Sequence, residues 1–591
     1  MRIPNSSPSF LALSLKQRFF VSLWYRLTHP RSIDSYRVQL HNSRTAIREL
    51  VYHMGRPTTK PESLRNLAEE CLQTIGKDPC LKDLLGFQLS LLEKRFKEAL
   101  IELEDEKKAK NFNRQPLEFL AQDISSALEC SYLKSLHGNL LREIAAGPAN
   151  DYARLTQLTT STVSDLIDRG WQLESLHNRV NSLLRENPTF QERLEYTMHS
   201  LTAEAVTFSV HLRLSGASKL TELEEFGDFR FRPDLPEVNL KPGKADTFTK
   251  ADPQIVFASS TVQAVDYKSA THQALEKFEH CLDRIRFNFS RNKISPNKEM
   301  LVIRKDLKYS LEKISFEVPN PIYQFNAKRF KDFNLRLDQL IINPTIDPQT
   351  VECLQAATRH YRLGQDAESY KDKFLSWWFG IEYLTQGGAG GIGERTVRQA
   401  SHLLMQRYIF WLLEDLIQST KSELKTIQAG SSPKLSVHDF LALLQDNSFV
   451  TSLTAALDER PLLQARAKQL SDSCSDPAKM REFLVAHHQR ISWQLDRLWG
   501  IRCGLVHGSP LAVRLLIPVS NMEFYLRECL IIALQSLDQN AHITSLDTIF
   551  NRAKLAWETT LAELKDPGAD HATIRTMAFD SLAYHPNNSH S

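Results

Sequence analysis

The chain has 591 residues, more than one hydrophobic core can serve, since single cores rarely grow past about 250–300 residues, so about two to four domains are expected. Lys and Arg total 73 against 70 Asp and Glu, a net charge of +3 that excludes broad electrostatic attraction to nucleic acid; any RNA contact must be a local patch. Only 21 glycines, with 42% hydrophobic and 24% charged residues, point to a mainly α globular protein.

At the N-terminal end, Arg2, Lys16, Arg18, Arg26 and Arg31 precede or flank no acid before Asp34. Mitochondrial presequences share that composition, and so does a basic amphipathic helix of a globular domain; Lys16-Gln17-Arg18 interrupts any secretory core. No stretch approaches the roughly 18 uninterrupted apolar residues of a membrane span, so none is expected. Cys71, Cys80, Cys130, Cys281, Cys353, Cys474, Cys503 and Cys529 form no C-x-x-C pair. That usage fits the reducing cytoplasm and no structural zinc.

Residues 1–204 read as a helical N-terminal region. Leu85, Leu89, Leu92, Phe96, Ala99 and Leu103 step by four and three, a seam too short for a long coiled coil and suited to a helical bundle. Glu104-Asp105-Glu106-Lys107-Lys108 ends it as a solvated helix end. Further helices are expected near 113–135, 151–169 and 188–204.

Over 205–345 the period changes. Val206, Phe208, Val210, Leu212 and Leu214 alternate, which places them on one face of a strand. Strands are also expected at 228–232, 254–258, 299–304 and 314–318, with Pro233, Pro236, Pro242, Gly243 and Pro253 marking an irregular connection. Ala270, Ala274, Phe278, Cys281, Leu282 and Ile285 line one helix face, so the section reads as a small α+β domain whose helix covers a mixed or antiparallel sheet.

Asn343-Pro344-Thr345-Ile346-Asp347-Pro348 separates strand-like from helix-like patterning. A helical domain over 348–565 follows, with helices expected at 349–363, 370–385, 394–420, 437–446, 460–471, 477–507, 520–537 and 543–564. Residues 566–591 read as a flexible tail. His487 and His488 are adjacent, hence on different helix faces, and no HExxH surrounds them, so no metal is assigned.

In the 477–507 helix, Leu495, Leu498, Ile501, Leu505 and Val506 recur at helical spacing, while Gly508 and Pro510 supply a C-cap and a stop. His507 therefore falls in the last turn. Five residues of straight helix advance about 500°, so Arg502 and His507 point roughly 140° apart with about 7.5 Å of rise between them. They act together only if the helix unwinds at Gly508 or a second copy of the chain completes the site.

Arg502 with four residues before His507 matches the R-x4–6-H signature of the HEPN superfamily. The spacing also occurs at Arg48/His53, Arg193/His199 and Arg481/His487, so context must carry the match. Arg497-Leu498-Trp499-Gly500-Ile501-Arg502, followed by Leu505-Val506-His507-Gly508, resembles the ending of the ApeA-like branch. Upstream, Phe374-Leu375-Ser376-Trp377-Trp378-Phe379-Gly380-Ile381-Glu382-Tyr383-Leu384 resembles a second helix of that branch, in the expected order. The resemblance covers about residues 348–562. Cys503 departs from it, because active members usually carry a small polar residue there.

The resemblance implies a HEPN-type helical bundle and a metal-independent RNA endonuclease without cofactor, assembled as a homodimer, of the kind found in prokaryotic defence and toxin systems. RNA carries its own nucleophile in the 2′-hydroxyl. His507 suits the proton transfers, because imidazoles in general, with an ordinary pKa near about 6.5, offer both forms near neutrality, and the Arg502 guanidinium suits the phosphorane. The bland alternative is that Arg502 pairs with a carboxylate and His507 caps the helix end. Glu382 either orients Arg502 or His507 or forms a structural salt bridge, since a carboxylate among apolar neighbours needs a partner. The loop Gln386–Glu394 holds five glycines in seven positions and lacks a G-K-[ST] ending, which excludes a P-loop. It is either a flexible connection or a loop beside the RNA, with Arg395 and Arg398 following it; Arg497 is a further candidate phosphate contact. A catalytically inactive dimerisation or RNA-binding module is the alternative function, and a regulatory partner of the N-terminal half is left open.

Overall fold

In a computed structural model the described residues are 7–29, 41–56, 59–109, 112–146, 152–235, 248, 255–288, 294–313, 317–318, 327–387, 390–427, 435–508, 514–540 and 542–579. The protein is mainly α with one small antiparallel sheet. It divides into two compact units, one of residues 1–165, 183–191 and 318–591, the other of 166–182 and 192–317.

The N-terminal helices of the first unit include α1 (Leu15–Thr28), α2 (Ser43–Met54), α3 (Pro61–Gly76) and α4 (Gln115–Ala145). Capping boxes of Ser14 with Gln17 and Asn42 with Thr45 start α1 and α2, and Pro61 starts α3, satisfying or removing first-turn N–H donors. Phe19, Phe20 and Trp24 are buried in α1, where Lys16 pairs with Glu143 at 2.9 Å and Arg26 lies 3.6 Å from Asp415. Two basic residues of this stretch are thus paired with carboxylates inside the helical unit, and Arg2 and Arg31 lie outside the described residues. The 85–103 seam buries Leu92, Phe96, Ala99 and Leu103 along the helix Phe87–Glu104, while Gly86 at φ +50° separates Leu85 from it.

The second unit is built on β1 (Val206–Ser215), β2 (Glu225–Phe226), β3 (Phe229–Arg232), β4 (Ile255–Ala264), β5 (Ser295–Arg304) and β6 (Tyr309–Lys313). The strand order is β2-β3-β4-β1-β5-β6, antiparallel throughout, with Val210 opposite Ser260 in β4 and Val302 in β5. Phe208, Val210, Leu212 and Leu214 face Ala270, Ala274, Phe278, Cys281 and Ile285 of α5 (Tyr267–Asn288), as the alternation requires, whereas Val206 is 40% exposed at the strand's start. The last strand falls at 309–313 rather than 314–318, of which 314–316 lie outside the described residues.

The rest of the first unit carries α6 (Pro348–Asp366), α7 (Tyr370–Leu384), α8 (Ile392–Met405), α9 (Pro477–Val506) and α10 (Leu516–Gln539). Asp347 caps α6 by accepting from the Thr350 N–H at 3.0 Å. The helix expected over 394–420 is two, Ile392–Met405 and Tyr408–Ser419, and a helix at Asn447–Ala456 had no forewarning. The expected tail is ordered through a helix at His571–Phe579 that buries Ile574; residues 580–591 lie outside the described residues.

The three consecutive domains expected at 1–204, 205–345 and 348–565 give way to nesting, because the first and last segments share one unit. The physical reason is visible on α9. Arg497, buried at 3% side-chain exposure, donates from Nε to Glu49 of α2 at 2.8 Å and pairs with Glu70 of α3, and Asp496 accepts from Ser63 at 3.3 Å and Asn66 at 3.2 Å. The helix Ala327–Ile342 also joins this unit, with Arg336 3.1 Å from Asp538.

Candidate functional site

The helix α9 begins at an Asp476 cap that accepts from Ala478 and Lys479 and runs regularly to Val506. His507 is the C-cap, its N–H bonded to the Cys503 carbonyl at 3.0 Å, and Gly508 takes φ +67°, a conformation that favours glycine. The helix does not unwind before its cap, so Arg502 and His507 stay on different sides of it, as the 3.6-residue period dictates. The His507 ring is exposed and, among the described residues, no side chain bonds it.

Arg502 lies against α7. Its Nε is 3.3 Å from Glu382 Oε1, its guanidinium carbon is 5.1 Å from the Trp499 ring centroid and 5.8 Å from that of Phe379, and the side chain is 18% exposed. The Trp378 indole donates to the same Glu382 oxygen at 2.7 Å and packs 5.8 Å from Trp499. Each carboxylate contact thus fixes Glu382, and Glu382 with two aromatic faces fixes Arg502. This meets the bland expectation of an Arg–carboxylate pair and a capping histidine, while leaving a guanidinium and an imidazole at one helix end.

Cys503 is half-buried; burial pushes its thiol up, with Arg502 acting the other way. Such a thiol is a poor thiolate nucleophile. Gly393, in the first turn of α8, sits against Trp499, where a Cβ would lie 2.4 Å from ring atom Cε2. A small residue is needed for α8 to meet α9 there.

The other candidate cations fall elsewhere. Arg497 is a correction: buried and paired with Glu49 and Glu70, it has no route to a phosphate in this structure. Arg395 donates from Nε to the Thr385 carbonyl at 2.6 Å, which ties it to the end of α7. Arg398 is 41% exposed and lies 3.4 Å from Glu394. At the glycine loop, Gln399 holds the Gly387 carbonyl at 2.8 Å, and Gly388 and Ala389 lie outside the described residues. His487 stacks on Tyr408, and His488 lies between His402 and Trp557, at 5.1 and 4.7 Å.

Sequence reasoning missed the residues that other segments bring to this end of α9. His53 of α2 approaches Gly500, where its Cε1 would be 3.8 Å from an added Cβ, and Lys60 reaches Gly391. His360 of α6 stacks on Tyr383 at 5.4 Å and meets Phe379 edge-on at 5.8 Å. Only the helical period of α6 could have placed His360 on an inward face.

Comparison with protein-family models, curated proteins and solved structures finds no match. A fixed guanidinium can hold a phosphoryl oxygen, and an exposed imidazole can exchange a proton near neutrality. One protomer supplies one such imidazole.

Proposed function

We propose that the protein is a metal-independent RNA endonuclease of the HEPN type, acting in the cytoplasm as a homodimer, with Arg502 and His507 as its catalytic residues. The observation that carries the reading is Arg502 held by Glu382 between Trp499 and Phe379, five residues before an exposed His507. Its two supporting helices, α7 and α9, are the two segments that resemble the ApeA-like branch, and they pack together through Trp378 and Trp499.

In this reading His507 removes the proton of a 2′-hydroxyl, whose oxygen then bonds to the adjacent phosphorus as the bond to the 5′-oxygen breaks. The partner's histidine returns a proton to that leaving oxygen, leaving a 2′,3′-cyclic phosphate and a 5′-hydroxyl. Arg502 pairs with Glu382 through Nε, so its terminal nitrogens serve the phosphorane oxygens. A two-fold axis brings two Arg/His pairs to one cleft, which supplies base and acid together. A role as a defence or toxin-like effector rests on the family resemblance alone. The N-terminal helices, tied to α9 through Arg497, then serve as the sensing or silencing part.

A second reading has its own support. Cys503 replaces the small polar residue of active members, and Arg502 is already neutralised by Glu382, as suits an inactive HEPN-like module that dimerises or binds RNA. Incubating total RNA with wild type, Arg502→Ala and His507→Ala separates the two. The nuclease reading expects fragments from wild type only and a dimeric native mass; RNA left equally intact by all three, under a range of triggers, favours the inactive module.

A further inference from the structure

Beside Arg502 an unbroken ladder of π surfaces crosses from α9 to α6. Trp499 and Phe379 flank the guanidinium, Phe379 meets His360 at 5.8 Å, and His360 stacks on Tyr383 at 5.4 Å with an interplanar angle of 23°. Tyr383 is 36% exposed. One face of its ring is taken by His360, which leaves the other face and the edge to the rest of its surroundings. No step of the proposed cleavage uses His360 or Tyr383.

We propose that Tyr383, backed by His360 and Phe379, is a stacking platform for a base of single-stranded RNA whose phosphate lies toward Arg502. The inference rests on the RNA reading of the Arg502 end. It commits to single-stranded RNA because an exposed ring at one end of a ladder that begins at a fixed guanidinium offers a base its π-face and a phosphate its counter-charge, whereas a duplex keeps its bases stacked on one another. Arg359, exposed and unpaired among the described residues, adds positive charge next to His360. Burial, then Arg359, lowers the affinity of His360 for a proton, so its ring backs Tyr383 as a neutral aromatic, and its Nδ1 has no hydrogen-bond partner. A single ring face reads stacking strength more than base identity.

The test is binding of labelled oligoadenylate and oligouridylate of equal length by the full chain carrying His507→Ala, which keeps the RNA uncut. Adenine stacks more strongly, so oligoadenylate binds tighter. Tyr383→Ala weakens it on the order of tenfold and shrinks the gap between the two, while Tyr383→Phe keeps both. Equal affinities for the two oligomers, an unchanged gap in Tyr383→Ala, or no binding of either overturns the platform. So does a Tyr383→Ala chain that changes native mass while binding RNA as before, which makes the face a subunit contact. Selective binding without cleavage of total RNA by wild type leaves the platform standing and removes the nuclease. Cleavage with identical affinities in Tyr383→Ala and Tyr383→Phe removes the platform only.

Discussion

Arg497 and Arg502 are five residues apart on α9 and have opposite fates. Arg497 is enclosed, with Glu49 and Glu70 from two N-terminal helices as partners. Arg502 has one carboxylate, two aromatic faces and partial access to water. The buried Glu49 and the half-buried Glu70 leave the first with no charge to offer a ligand, whereas the second is positioned without being closed off. The same side chain thus joins segments more than 400 residues apart at one place and stays partly open to water at the other.

The sharpest break in that comparison is functional. Arg502→Ala or His507→Ala should slow RNA cleavage by about 10³-fold or more, with thermal midpoints within a few degrees of wild type, because neither side chain is enclosed. Arg497→Ala should do the reverse. Removing one partner of a buried pair typically costs about 3–5 kcal/mol, which a lowered urea midpoint would report, and residual activity should follow the folded fraction. Equal stability losses for the two arginine variants would erase the distinction.

Acid sharpens it further. Burial lowers His402 and His488 to about 4, so these rings stay neutral in the fold while an unfolded chain binds protons below about 6.5. Stability contributed by these groups is present above that pH and falls as pH drops toward 4. At lower pH Glu49 adds to the loss: burial opposes its ionisation, but Arg497 and His41 outweigh burial and hold the carboxyl well below the carboxylate range. Urea midpoints at pH 7 and pH 5 should therefore differ by the equivalent of about 1–3 kcal/mol, and His402→Gln with His488→Gln should narrow the gap. Gly393→Ala should cost about 1–3 kcal/mol by pushing on Trp499, read as a lower melting temperature with Arg502 chemistry impaired alongside. The smallest effect belongs to Cys503→Ser, expected within about 1 kcal/mol in stability and with cleavage unchanged or faster.

Local patterns made much of this legible. The apolar spacing and caps located α7 within a residue and α9 from Pro477 to Val506, and strict alternation located β1 and the face that meets α5. Glu382 read as a carboxylate in need of a partner, and Arg502 is that partner. Long-range pairing was not legible. Nothing near Arg497 announces Glu49 or Glu70, so a buried structural arginine looked like a phosphate contact, and the first and last segments looked like separate domains. The Tyr383–His360 stack escaped for the same reason, because a ring contact between neighbouring helices leaves no spacing signal.

The central claim is that Arg502 and His507 cut RNA through its own 2′-hydroxyl. Its most direct test is the purified protein acting, with chelator present, on a cleaved RNA and on the same RNA carrying one 2′-deoxy nucleotide at the cut. The account predicts chelator-insensitive cleavage ending in a 2′,3′-cyclic phosphate and no cut at the deoxy position. Cleavage that persists at the deoxy position, or that stops on chelation, would contradict it.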